Sequence, residues 1–246
     1  MSDIFATEVV SRDGDIILVV GDKAEKRKLR VSSHILSTVS PVFKAMLGPN
    51  FREGQQLRSN GNTEPVEIPL PDDDPKAMTL MCRLLHCRDA PAEDERLVDN
   101  FKMLPAALAF DKYQVVGPLH WQIRGVLSHW LFDFDAIVDS VTVCAGTVAA
   151  AYLLNCDDAY NRATAHLINI CEDSVTELVE RQDITDIIPL QVLLILEERR
   201  VRMQTKMSVV EGSSDEVAKD GGLCLRCSKA GKQDRNEKCV GRHGAS

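Results

Sequence analysis

The first apolar cluster of the chain is Ile16-Ile17-Leu18-Val19-Val20, an unbroken, β-branched run opened by Asp15. Such a run predicts a strand buried on both faces. Gly21-Asp22 turns the chain, and a charged loop runs through Lys28. Leu29 and Val31 then alternate with Lys28 and Arg30, the period of a strand with one wet face. Ser32 or Ser33 caps a helix carrying Ile35, Leu36 and Val39 inward. Ser40 is a second N-cap, with Pro41 at the first helical position, where its missing N–H costs nothing. Val42, Phe43, Met46 and Leu47 form the stripe of that helix, and Gly48-Pro49 ends it. The pattern is a hairpin feeding two short helices.

The rest of the chain extends this start. Residues 1–12 read as a loosely held lead-in, with Ile4, Phe5, Val9 and Val10 available to a neighbour. Residues 48–65 are rich in Gly, Asn, Pro and charge and predict an exposed loop. Val66, Ile68 and Leu70 alternate with Glu67 and Pro69, which predicts a strand that Pro69 confines to a sheet edge. Asp74-Pro75 starts a helix with Ala77, Leu80, Met81, Leu84 and Leu85 on one face, while Asp72 and Asp73 favour its positive end. Residues 89–95 are a polar connection. Phe101, Leu104, Leu108 and Tyr113 predict helical turns with a kink or restart at Pro105. After Gly117-Pro118, Leu119, Ile123, Val126, Leu127 and Trp130 mark another amphipathic helix.

Residues 134–207 read as helices throughout. Val141 to Leu154 is apolar and small, and Tyr160, Ala163, Leu167, Ile170 and Cys171 keep helical spacing. Ser174 to Glu177 fits a capping box. Pro189 starts a last long helix with Leu190, Leu193, Leu194 and Val201. From Ser208 the composition turns to Gly, Ser and charge, which predicts a tail disordered in isolation.

Three stretches carry a resemblance: Asp15 with its apolar run, Val31-Ser32-Ser33-His34-Ile35-Leu36, and Ser40-Pro41-Val42-Phe43. Together they resemble the signature of the BTB/POZ domain. Leu104 to Tyr113 is similar to the Leu-rich helix ending in Ala-Asp-Lys-Tyr of that family, and the likeness covers roughly residues 13–131. His86-Cys87-Arg88 departs from it, standing where the family shows a Tyr-Thr-Gly-like helix end. The resemblance implies an α+β fold, a small mixed sheet flanked by helices, followed by an all-α extension and a flexible tail. It divides the chain into an N-terminal arm (1–12), a BTB/POZ domain (13–133), a BACK-like helical extension (134–207) and a flexible Cys-containing tail (208–246).

The resemblance also implies function. It points to protein–protein association: a self-associating, homodimeric adaptor or scaffold whose arm exchanges between subunits in some relatives. Phe51-Arg52-Glu53 resembles the apolar-x-Glu motif by which cullin-binding members engage a ubiquitin-ligase scaffold. Phe51, Glu53 and the helix end at Tyr113 are therefore the candidate partner-binding residues. An exposed aromatic fills a partner pocket, and a neighbouring carboxylate orients it. The histidine matching His34 lies near the strand aspartate, here Asp15. A structural hydrogen bond is the expectation for that pair, since no nucleophile accompanies it.

Composition narrows the classes. The 246 residues are 44% hydrophobic and 27% charged, an ordinary globular balance. A net charge of −8 argues against a general nucleic-acid or anionic-membrane binder. No apolar stretch reaches membrane-spanning length, and no secretory signal is visible. Cytoplasm or nucleus is the expected compartment, with the 8 cysteines mostly reduced. Cys82, Cys87, Cys144, Cys156 and Cys171 fall on predicted helices, where burial is the default. No P-loop, G-x-G-x-x-G, G-x-S-x-G or H-E-x-x-H pattern occurs, so no catalytic residue, enzyme or cofactor is expected.

Cys224, Cys227, Cys239 and His243 have a spacing that four zinc ligands could use. Without aromatic residues to support such a module, no metal is assigned to them. A transcriptional or regulatory protein acting through that tail is the alternative function.

Overall fold

The computed structural model describes residues 6–22, 25–59, 64–88, 103–131, 140–171, 173–210 and 219–231. Its chain divides into two compact units, residues 1–97 with 105–123, and residues 98–104 with 124–246.

The first unit is built on a four-stranded mixed sheet. Its strands are β1 (Thr7–Val9), β2 (Ile16–Val20), β3 (Arg27–Val31) and β4 (Val66–Leu70), in the order β1-β3-β2-β4. The expected hairpin forms: β2 and β3 are antiparallel, with Leu18 opposite Leu29. The expected edge strand forms too. β4 runs parallel to β2 on the outside, with Pro69 opposite Val19, where a residue unable to donate to a ladder is tolerated. Ile16, Leu18, Val20, Leu29, Val31 and Ile68 are buried.

The lead-in is tied down, contrary to expectation. β1 pairs in parallel with β3 of its own chain, Glu8 bridges Arg83 at 2.7 Å, and Arg88 Nε donates to the Val10 carbonyl. Val10 is buried and Val9 exposed; Ile4 and Phe5 lie outside the described residues.

Helices α1 (Ser33–Val39), α2 (Pro41–Met46) and α4 (Pro75–Leu85) begin at the caps read from the sequence. Ser32, Ser40 and Asp74 accept from the backbone N–H groups of Ile35, Phe43 and Ala77. Between α2 and β4 the expected loop is instead largely a helix, α3 (Arg52–Ser59). Gly54 misled the reading, because it is there for contact and not for flexibility. A Cβ on it would lie 1.9 Å from the Gly48 carbonyl oxygen, so only glycine lets α3 approach the end of α2.

Two further helices, α5 (Met103–Lys112) and α6 (His120–Trp130), follow. Pro105 falls in the first turn of α5, where proline is accommodated without a kink. Phe101 lies outside the described residues.

The second unit contains α7 (Val141–Leu153), α8 (Asp157–Asn169), a 3₁₀ turn (Val175–Glu180), α9 (Gln182–Thr185), α10 (Leu190–Val210) and α11 (Leu225–Lys229). α7 and α8 form its central pair, lined by Cys144, Ala145, Val148, Ala149, Tyr160, Ala163 and Leu167. No helix of the described residues is long and apolar enough to cross a membrane.

Three expectations are corrected in this unit. Ser174 does not enter a capping box with Glu177; Glu197 of α10 accepts from the Val175 N–H and the Ser174 hydroxyl. The buried stripe of α10 runs through Val192, Leu193, Leu196 and Met203, leaving Leu190, Leu194 and Val201 exposed, as is Ile170 after α8. The stripe was disguised by Arg199 and Arg200, which are buried on it. Arg199 Nη1 donates to the Gly222 carbonyl at 2.8 Å, and Arg200 pairs with Glu197.

Nor does the expected disorder extend over residues 219–231. There Leu223 and Leu225 are buried, Leu223 N–H donates to Thr164, and Gly222 at φ +83° lies against the α8 backbone.

Candidate functional site

α3 presents the residues singled out for partner binding. Phe51 immediately precedes the helix, its carbonyl accepting the Gln55 N–H, and its ring is 50% exposed. Glu53 is half-buried in the first helical turn, where a carboxylate meets the positive end of the helix dipole. Arg52, Gln55, Gln56 and Arg58 are exposed around them. The arrangement offers an aromatic side chain to a pocket, flanked by one acid and surrounding polar groups.

Tyr113 does not share that surface. It is 2% exposed, and its ring stacks on Phe43 at 4.4 Å and 9°. Its hydroxyl donates to Asp73 at 2.8 Å, Lys112 reaches the other Asp73 oxygen at 2.7 Å, and its carbonyl accepts the Ser40 hydroxyl at 2.6 Å. Burial first, and then the Asp73 bond, push the phenol far above its ordinary pKa. Tyr113 is thus a strut that fixes α2 against the end of α5. Asp73, which the sequence suggested only as a helix-dipole charge, is the buried anion at the strut's centre.

The Asp15–His34 pair is also reassigned. Asp15 accepts from the Ser33 N–H at 2.7 Å and the Ser33 hydroxyl at 2.5 Å, while His34 is exposed. The histidine that fastens α1 is His86, at the end of α4. Its Nδ1 lies 2.7 Å from the Cys82 carbonyl, so that nitrogen carries the proton. Nε2 is then left to accept the Ser32 N–H at 3.1 Å. Burial holds the His86 pKa below its ordinary value, in agreement with a neutral ring. Periodicity could not show this, but the departure from the family's helix ending at His86-Cys87-Arg88 was its signal.

That ending is a Schellman turn. Arg88 N–H donates to the Arg83 carbonyl and Cys87 N–H to that of Leu84, with Cys87 in the left-handed region at φ 52°. Cys87 is exposed, whereas Cys82, Cys144, Cys156 and Cys171 are buried as expected. Burial raises the Cys82 thiol to about 12, so it is inert packing.

Arg12, Asp15, Arg30 and His34 line an open polar cleft. Asp15 is engaged by Ser33, and Arg30 Nε by the Gly14 carbonyl. Ser32, the one hydroxyl residue among those lining the cleft, is used as the cap of α1, its side chain accepting the Ile35 N–H. In the tail, Cys224 is buried at the start of α11 and Cys227 half-buried; Cys239 and His243 lie outside the described residues.

Residues 10–117 match the family model of the BTB/POZ domain, and no curated protein matches the chain. The matched segment holds strands β2 to β4, helices α1 to α5, the Phe43–Tyr113 strut and the α3 surface.

Proposed function

We propose, from the premise that this chain carries a BTB/POZ domain, a fold for protein–protein association and oligomerisation, that it is a self-associating adaptor whose α3 surface docks a cullin-type ubiquitin-ligase scaffold. The observation carrying this reading is the half-exposed Phe51 beside Glu53, on a helix seated by Gly54 and supported through α2 by the Tyr113 strut. Phe51 is the anchor and Glu53 the orienting charge. Tyr113 acts indirectly, by holding α2.

Capture of a purified cullin scaffold by the full chain tests the reading. Wild-type protein should retain the scaffold, and Phe51→Ala with Glu53→Lys should weaken retention about tenfold or more. Light scattering should report a dimer for both. Equal capture by the double variant rejects the docking surface, and a monomeric wild type rejects self-association.

A further inference from the structure

In the helical unit, three metal-ligating side chains converge. Cys144 lies in the second turn of α7, His166 in the last turn of α8, and Cys171 two residues beyond its end. One ligand atom from each lies within 4.8 Å of the others. Cys144 and Cys171 are 0% and 2% exposed and His166 is 3% exposed. The two sulfurs stand 3.0 Å apart.

We propose that Cys144, His166 and Cys171 form a zinc site that holds the helical unit together, with a water completing the tetrahedron. Three arguments carry this. The donors are two thiols and an imidazole, the soft and borderline set that zinc takes in structural and open sites alike. Two Zn–S bonds of about 2.3 Å at tetrahedral angles put sulfurs about 3.8 Å apart. Small side-chain rotations reach that spacing from the one observed.

The second argument is charge. Binding one Zn²⁺ to two thiols and a neutral imidazole releases two protons and leaves a neutral complex, which avoids the cost of an uncompensated buried charge. Cu⁺ on the same two thiolates would leave a net negative charge in the interior.

The third is the histidine. A disulfide between Cys144 and Cys171 would account for the two sulfurs but needs an oxidant and does not include His166. Zinc uses all three groups without a redox step. It would also bind the start of α7 to the end of α8, in a unit where neither helix has a side-chain cap at its N-terminus.

The test is elemental analysis of the full chain, purified reduced and without a metal-chelating tag. The Cys227→Ser/Cys239→Ser double variant is the control for the C-terminal cysteines. Wild type and control should each hold about one zinc per chain, while Cys144→Ser and Cys171→Ser should lose most of it. Should those variants fail to fold, the cobalt-loaded control decides: a tetrahedral spectrum with thiolate-to-cobalt charge transfer, and an X-ray absorption shell of two sulfurs, support the site. Chelation should also lower its melting temperature. A zinc-free reduced wild type, zinc lost only in the C-terminal control, or a Cys144–Cys171 disulfide in its place overturns the proposal.

Discussion

The two units of this chain start their helices by different means. In the sheet-containing unit, Ser32, Ser40 and Asp74 each accept a backbone N–H at the head of a helix. In the helical unit, α7, α8, α9 and α11 begin without any side-chain cap. These three helix starts of the first unit are thus specified locally, by residues whose role depends on a few neighbours. The second unit is specified at a distance, by close contact of small residues and by Glu197, Arg199 and Thr164 reaching other segments. A locally encoded unit can be read from sequence. One encoded at a distance can be recognised as helical, but its partners cannot be paired.

Substitutions should break or sharpen this contrast. The largest effect is expected for Phe43→Ala, which removes the ring stacked on Tyr113 and should cost about 3–5 kcal/mol. Hydrogen exchange should show the loss in amides of the sheet-containing unit; equal loss in α7 and α8 would contradict separate specification. A sharper comparison pairs two serines that both precede helices. Ser40→Ala removes a cap and a buried bond to the Tyr113 carbonyl and should cost about 2 kcal/mol in urea unfolding. Ser140→Ala, ahead of α7, removes no cap bond and should stay within about 0.5 kcal/mol.

The His86 contact adds a pH dependence to the first unit. Burial depresses its folded-state pKa below the ordinary 6.5, so the unfolded chain takes up the proton first as pH falls. The contribution is full above about 6.5 and is lost progressively below it. Denaturation midpoints should decline over that window, and His86→Gln should flatten this part of the slope. The smallest change is a gain. Cys87→Gly relieves the left-handed backbone at φ 52° and should stabilise by about 0.5–1 kcal/mol in the same unfolding assay.

The hairpin, the caps and the edge position of β4 were legible because each depends on alternation or on one residue type at one place. α3 was not, because Gly54 reads as a breaker unless the carbonyl it touches is known. The face of α10 was misjudged because Arg199 and Arg200 look like solvent-facing charges, and only Asp220, Gly222 and Glu197 show why they are inside. Of the candidate surface on α3, Phe51 and Glu53 were legible as a motif. The burial of Tyr113 was not legible, since a buried hydroxyl–carboxylate pair forty residues apart leaves no periodic trace.

Cys87 sits on an outward-turned bend one residue from the histidine that fastens α1. Among the described residues it is the thiol open to bulk solvent, with Cys227 only half covered and the others enclosed. A maleimide dye added to the unaltered protein should therefore attach at Cys87 before the other described thiols, and its fluorescence would follow loosening of that corner as acid is added.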